Sequence, residues 1–315
     1  MTIMESSPEK AALAGDTIAR EFAGILSAGT VFRRAEPLAK HTTLRVGGPV
    51  DYYIEPADEM DLAKVLDFCR RRGISFFILG RGSNLLVRDL GFRGAAVCLA
   101  QPVFAKIAAA GDQLVCGAGA RLKAVALEAK RAELGGLEFL EGIPGSVGGA
   151  LRMNAGAMGA ATFDAIDRVR VMDFCGHVAV LTPSEMAVSY RQCGTLKESV
   201  ALEAVFRGSR ADRAEIEARM ISFSKKRWAS QPSAPSAGCI FKNPASVPAG
   251  RLVEELGLKG LRCGGARVSD EHGNFVVNDG GATAADILEL IGMVKEKARQ
   301  ARGIELEIEV EIIGE

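Results

Sequence analysis

Between positions 136 and 159 the chain reads Gly-Leu-Glu-Phe-Leu-Glu-Gly-Ile-Pro-Gly-Ser-Val-Gly-Gly-Ala-Leu-Arg-Met-Asn-Ala-Gly-Ala-Met-Gly, and beyond Glu141 its single charge is Arg152. A stretch so poor in side chains leaves main-chain N–H groups open to a ligand lying against the backbone, as a dinucleotide pyrophosphate requires. Tightly packed turns between strands would use glycine in the same way. A second cluster favours the ligand. Positions 79–87 read Leu-Gly-Arg-Gly-Ser-Asn-Leu-Leu-Val after the apolar run 74–79, a strand, a glycine turn and another strand. Gly80-x-Gly82 lacks a third glycine three residues on, so the nucleotide fingerprint of a doubly wound fold is not met. An α+β fold is expected instead.

The charge balance narrows the function classes. Lysine plus arginine and aspartate plus glutamate number 39 each in 315 residues, which leaves no basic footprint for nucleic acid. No apolar run approaches the roughly 18–20 residues of a membrane span. The opening residues 1–10 show no export signal, and seven scattered cysteines without a Cys-x-x-Cys fit a reducing cytoplasm. With three histidines and no His-Glu-x-x-His, no metal site is expected.

Periodicity places the elements. A leading helix is expected over 10–29, and an amphipathic helix over 58–72 with Leu62, Val65, Leu66 and Cys69 on one face and Gly73 closing it. Strands are expected at 74–79, 95–99, 113–116, 166–173, 177–181 and 200–207, with helices at 122–133 and 210–227. Residues 228–250 turn rich in Ser, Pro, Ala and Gly, the entry to a different unit. Thr283-x-x-Asp286 has capping-box spacing before an apolar stripe of Ile287, Leu290, Ile291, Val294 and Ala298 that ends at Gly303. Residues 305–313 alternate strictly, Leu306, Ile308, Val310 and Ile312 against Glu305, Glu307, Glu309 and Glu311, and are expected to form one strand.

Leu79-Gly-Arg-Gly-Ser-Asn84, Gly142-Ile-Pro-Gly-Ser-Val-Gly-Gly149, Met153-Asn-Ala-Gly-Ala157, Ser189-Tyr-Arg191, Ser236-Ala-Gly-Cys-Ile-Phe-Lys-Asn-Pro244 and Glu309-Val310 occur in this order. Together they resemble the UDP-N-acetylenolpyruvoylglucosamine reductase family, over about 41–314. The short stretch between Arg191 and the strand at 200 resembles the subclass without an extra tyrosine-bearing loop. The resemblance implies a vanillyl-alcohol-oxidase-type FAD-binding fold of two subdomains plus a C-terminal α+β substrate domain. The division expected is an N-terminal helix at 1–30, FAD-binding subdomains at 31–104 and 105–223, and the substrate domain at 224–315.

The same resemblance implies non-covalent FAD held by Leu79, Gly80, Arg81, Gly82, Ser83, Asn84 and Leu85 on one loop. Pro144, Gly145, Ser146, Gly149, Asn154, Ala155 and Gly156 would hold it on the other. NADPH would reduce the flavin, and hydride would then pass to the vinyl carbon of a UDP-sugar enolpyruvyl ether. Negative charge developing on the neighbouring carbon and its carboxylate calls for electrophilic groups and a proton donor. Arg191 matches the family arginine that grips the carboxylate, a role suited to a permanently charged bidentate fork. Glu309 matches the glutamate that stabilises or protonates the enolate, and should carry a raised pKa from burial or from neighbours such as Glu307 and Glu311.

Cys239 stands where many members carry a proton-donating serine. A free thiol titrates at about 8.5 and could serve, and an accessible one would be open to oxidation and alkylation. Tyr190, Lys226, Arg227, Lys242 and Asn243 are candidate contacts to the diphosphate and sugar. Two positions depart from the family pattern: Glu311, where arginine is common, and Ser230, where some members carry lysine. A monomer is expected. The alternatives are another flavin-dependent oxidase or dehydrogenase of this fold, and a silent flavin- or nucleotide-binding module.

Overall fold

A computed structural model describes residues 8–315. The first sheet runs in the order Val31–Pro37, Pro49–Glu55, Phe92–Cys98, Phe76–Leu79, with the first pair antiparallel and the others parallel. Helix Glu59–Arg72 makes the crossover between parallel strands. Asp58 accepts from the Asp61 amide at its start, and Gly73, at φ 63°, ends it. Its expected apolar face is the buried one, with Phe68 added. Helix Pro8–Ile25 places Phe22 against Phe32, Tyr52 and Phe68, with ring centroids 5.6, 5.3 and 4.5 Å away.

The second sheet is antiparallel throughout, in the order Val178–Leu181, Ile166–Asp173, Ser199–Arg207, Gln113–Gly117, Ile107–Ala110. Helices Leu122–Arg131 and Arg213–Ser230 belong to this half, the second starting at the Asp212 cap. One continuous apolar core, from Leu62 and Val97 to Leu114, Val169 and Phe206, fills both sheets.

The third sheet is also antiparallel: Ser236–Cys239, Phe275–Asn278, Ala266–Val268, Arg262–Cys263. Helices Ala249–Glu255 and Ala284–Arg302 close a second core that takes in Leu44, Val46 and Leu86 from the first half. The capping box is present: Thr283 Oγ1 accepts from the Asp286 amide at 3.0 Å and Asp286 accepts from the Thr283 amide at 2.9 Å. Asp89, far away in sequence, also accepts from the Ala284 and Ala285 amides at 2.8 and 2.9 Å. Its negative charge suits a helix start, and it staples this helix to the first half.

The tail departs from the alternating strand expected at 305–313. Its first part lies along the backbone after Cys239, where Lys242 donates to the Glu307 carbonyl at 2.8 Å and Glu309 donates to the Ile240 carbonyl at 2.7 Å. Only Glu311–Ile313 is a sheet strand, pairing in parallel with Leu85–Val87. Serving two partners in succession requires a bend at Val310. That bend frees Glu309 from the solvent face its spacing assigned to it.

Candidate active site

The three sheets meet around a cleft of about 1490 Å³. The glycine turn 80–84 follows strand Phe76–Leu79, and the second glycine segment runs through Ser146 into the short helix Val147–Arg152. The two loops face each other closely: a Cβ on Gly80 would come within 3.0 Å of Ser146 Oγ. Gly82 is fixed more severely, since its φ is +60° and a Cβ would sit 2.2 Å from the His41 carbonyl oxygen. The main-chain N–H groups of Arg81, Gly82, Ser83, Asn84, Gly145 and Ser146 donate to no acceptor among the described residues. Unpaired donors on two facing loops are what a bound anion would satisfy.

Three reactive side chains line the same cleft: Arg191, Cys239 and Glu309. Arg191 is at the tip of the hairpin formed by Val188–Ser189 and Gln192–Cys193 and holds φ +58°, a strained value for a non-glycine residue. Its Nε lies 3.0 Å from Glu309 Oε1, an ion-pair distance. The Nε–H is nevertheless buried without a properly directed hydrogen bond, so the pair is electrostatic and its donor is still open.

Burial pushes the Glu309 carboxyl above its usual range, and Arg191 and Lys242 oppose the shift. Neighbouring carboxylates do not cause it, contrary to one of the expectations above. Glu307 is turned to Lys242, and Glu311 to Arg152 at 3.5 Å.

Cys239 ends strand Ser236–Cys239, directly after Gly238 at φ +76°, where the pairing register slips. Burial, and then the charge of Glu309, push its thiol up to about 11, while Arg191 and the Asn274 side chain pull the other way. The thiol is therefore held protonated at neutral pH. The sequence expectation was an accessible thiol open to oxidation and alkylation; Cys239 is half-buried, and a thiol held protonated reacts more slowly with such reagents. Asn274 is buried and clamps the next turn of chain: its Oδ1 accepts from the Phe241 amide at 2.9 Å and its Nδ2 donates to the Phe241 carbonyl at 2.8 Å.

A model of the UDP-N-acetylenolpyruvoylglucosamine reductase C-terminal domain matches residues 231–313, and a model of an FAD binding domain matches residues 50–182. The reductase of Syntrophomonas wolfei is 42% identical over 89% of this chain and 94% of its own. That of Heliobacterium modesticaldum is 42% identical over 95% of this chain and 94% of its own. The chain belongs to the UDP-N-acetylenolpyruvoylglucosamine reductase family. The crystal structure of the Thermus caldophilus reductase superimposes with a TM-score of 0.79 at 37% identity, covering 90% of this chain and all of that one (100%).

The family fold is the FAD-binding one, with a further α+β unit closing the cleft. The residues present fit FAD. The unpaired amides suit its pyrophosphate, and the same cleft is lined by Arg191, Cys239 and Glu309. Of the residues expected to hold it, Leu79, Gly80, Arg81, Gly82, Ser83, Asn84, Leu85, Pro144, Gly145, Ser146, Gly149, Ala155 and Gly156 line the cleft. Asn154 does not; it sits behind the wall.

Among the candidate substrate contacts, Arg227 lines the cleft, whereas Tyr190, Lys226, Lys242 and Asn243 do not. Lys242 is committed to Glu307, and Asn243 accepts from the Ala249 amide at 3.0 Å, which starts a helix. Sequence reasoning missed Arg152 and Trp228 in the lining, and Asn274 behind Cys239. Trp228 is the chain's single tryptophan and stays 59% exposed, with Arg227 stacked 5.2 Å from its ring centre. Its place directly after Arg227, itself a candidate, was the available signal.

Proposed function

We propose that Arg191, Cys239 and Glu309 carry out the substrate half of the family reaction, the NADPH-dependent, FAD-mediated reduction of UDP-N-acetylglucosamine enolpyruvate to UDP-N-acetylmuramate for peptidoglycan synthesis. The observation that carries this reading is the meeting of these three side chains, from three distant segments, in the cleft walled by the FAD loops. FAD, when bound, takes hydride from NADPH and supplies it to the vinyl methylene carbon. Every other requirement falls on the chain itself.

Arg191 has an open buried donor and meets the substrate carboxylate, where charge accumulates as the double bond is lost. Once the guanidinium turns to that carboxylate, Glu309 loses its counter-charge and gains an anion beside it. Both changes raise an already raised pKa, so Glu309 takes up a proton and donates a hydrogen bond to the enolate. Cys239 then protonates the α-carbon from its Sγ. The C–H bond forms, the S–H bond breaks, and the thiolate regains a proton from solvent. A thiol near 11 is a weaker acid than a free cysteine, but it is fully protonated when needed and remains strongly acidic relative to a carbanionic carbon.

We assign Arg227 and the glycine-loop residues lining the cleft to nucleotide binding. We retain the four-part division but move its last boundary from 223/224 to 230/231, because helix Arg213–Ser230 runs unbroken through 223 and 224, and the chain is taken to act as a cytoplasmic monomer without nucleic-acid or membrane partners. Its equal charge counts support the absence of nucleic acid, and no helix among the described residues is long and apolar enough to cross a membrane. The test is optical. Purified protein should show a flavin band that NADPH bleaches and that the enolpyruvyl sugar nucleotide restores under anaerobic conditions. A colourless protein that takes up no FAD, or reoxidation by oxygen alone, would reject the reading.

A further inference from the structure

We infer that Asn154 is a positioning residue for Arg191, holding its guanidinium ready for the substrate carboxylate, and is not a contact to FAD. The inference rests on the role proposed for Arg191.

Asn154 follows helix Val147–Arg152 and adopts φ +39°, a left-handed value that asparagine tolerates better than most residues. Its flanking residues Met153 and Ala155 line the cleft, but its own side chain turns away from it. Oδ1 accepts from the Phe163 amide at 3.2 Å, and Nδ2 donates to the Ser189 carbonyl at 3.3 Å. Ser189 is the last residue before the Tyr190-Arg191 turn.

That turn needs support. The hairpin holds two residue pairs, Val188 with Cys193 and Ser189 with Gln192, far fewer than a free hairpin needs. Arg191 also sits at φ +58°, and such a conformation persists only where surrounding structure over-determines it. The base of the hairpin is tied by Cys193 Sγ donating to the Met186 carbonyl at 3.2 Å and by Gly194 donating to the Ala187 carbonyl at 3.0 Å. At the tip, Asn154 is the one side chain among the described residues that bonds to the main chain of 188–192. Stacking of the guanidinium 5.3 Å above the Tyr190 ring orients it further but fixes nothing outside the turn. The glycine segment that walls the cofactor therefore also sets the height and direction of the arginine. Carboxylate recognition by a planar fork tolerates errors of only about 0.5 Å and 10–20°.

The test uses FAD-loaded enzyme and follows both half-reactions separately by anaerobic stopped flow. Asn154→Asp keeps a residue that accepts this backbone and keeps the acceptor for Phe163, but loses the donor to Ser189. Asn154→Gly controls for the added charge. Both variants should bind FAD normally and be bleached by NADPH within about twofold of the native rate. Reoxidation by the enolpyruvyl substrate should slow by about 10–100-fold, as expected for misplacement of a substrate-holding group by about 1 Å. In an Arg191→Lys background, Asn154→Asp should then add less than about twofold, because neighbours acting through one interaction are not additive.

Loss of FAD with unchanged rates per bound flavin would make Asn154 a cofactor contact and overturn the inference. Equal slowing of both half-reactions, or full additivity with Arg191→Lys, would overturn it as well. Failure of the underlying reading looks different: Arg191→Ala would then leave substrate-driven reoxidation at the native rate.

Discussion

The two ends of the cleft are built on opposite plans. At the cofactor end the working groups are main-chain amides on two short, contiguous loops, and glycine is there to keep side chains away. At the proposed reacting end the candidate groups are three side chains that come from a hairpin tip, a slipped strand and a bent tail. The first end depends on local backbone conformation. The second depends on a few long-range bonds, such as the 2.7 Å bond from the Glu309 amide to the Ile240 carbonyl, which seats the glutamate beside the chain that follows Cys239. Damage to the first end should therefore show as lost flavin and lost stability, and damage to the second as lost chemistry in an intact, coloured protein.

The sharpest separation should come from Cys239→Ala. Removing a general acid costs roughly 10²–10⁴-fold, and stopped flow should place that loss entirely in reoxidation by substrate, with NADPH bleaching unchanged. Cys239→Ser should retain substantial turnover. An alanine variant that completes both steps at native rates would erase the contrast between the two ends.

Next in size is a substitution in the cofactor wall. Gly82→Val puts a branched side chain at φ +60° with its Cβ directed against the His41 carbonyl. Backbone strain of this kind costs about 1–3 kcal/mol before the clash is counted, so the melting temperature should drop and purified protein should lose its flavin band. Gly292→Ala, on the exposed face of helix Ala284–Arg302 and outside the cleft, meets nothing within 4 Å and has an ordinary φ. It should keep the flavin band and not lower the melting temperature; a lost flavin band there would mean that the wall is less local than its two loops.

The pH response distinguishes the ends more gently. Because burial pushes the Cys239 thiol up to about 11, the donor stays protonated until the pH approaches that value. Substrate reduction should thus keep its proton donor through neutral and moderately alkaline pH, and iodoacetamide at neutral pH should label Cys239 slowly. Moving to Cys239→Ser should remove the alkaline limb. A limb near the free-cysteine value of about 8.5 would mean the thiol is more solvated than its surroundings indicate.

The smallest effect concerns protons taken up on binding. The Glu309 pKa is already raised by burial, and in the proposed mechanism substrate binding would raise it further. A group with a raised carboxyl pKa is protonated below that value and loses the proton as pH rises through it. Calorimetry in buffers of different ionisation enthalpy should then show uptake of up to about one proton per substrate bound, reached over the pH range between the free and the bound pKa. Glu309→Gln should abolish it, and unchanged uptake in that variant would assign the proton elsewhere.

Legibility followed the same divide. The helix over 58–72 was readable with its Gly73 end, and so was the C-terminal helix from Thr283 to Gly303 with both ends, because periodicity and capping are local properties. The glycine loops were readable because the function uses the residues' absence of side chains. The tail was not, since strict alternation describes a strand with one partner and this segment changes partner at Val310. Tyr190 and Lys242 lay in the right motifs, but their side chains do not line the cleft, and motif membership carries no orientation. Trp228 and Asn274 were missed because single polar or aromatic residues give no periodic signal, and their importance comes only from what the fold brings beside them.

Pairing of Glu311–Ile313 with Leu85–Val87 has a consequence for how the molecule comes into being. Among the described residues, the strand immediately after the first glycine turn has no sheet neighbour from its own half and waits for residues more than two hundred positions later. While the polypeptide is still leaving the ribosome, that turn has one unsupported flank, and Glu309 is not yet available to Arg191. The flank of the glycine turn and the Arg191–Glu309 pair can therefore be completed only after residues 309–313 have been made, so a product truncated before Glu309 should lack the assembled site.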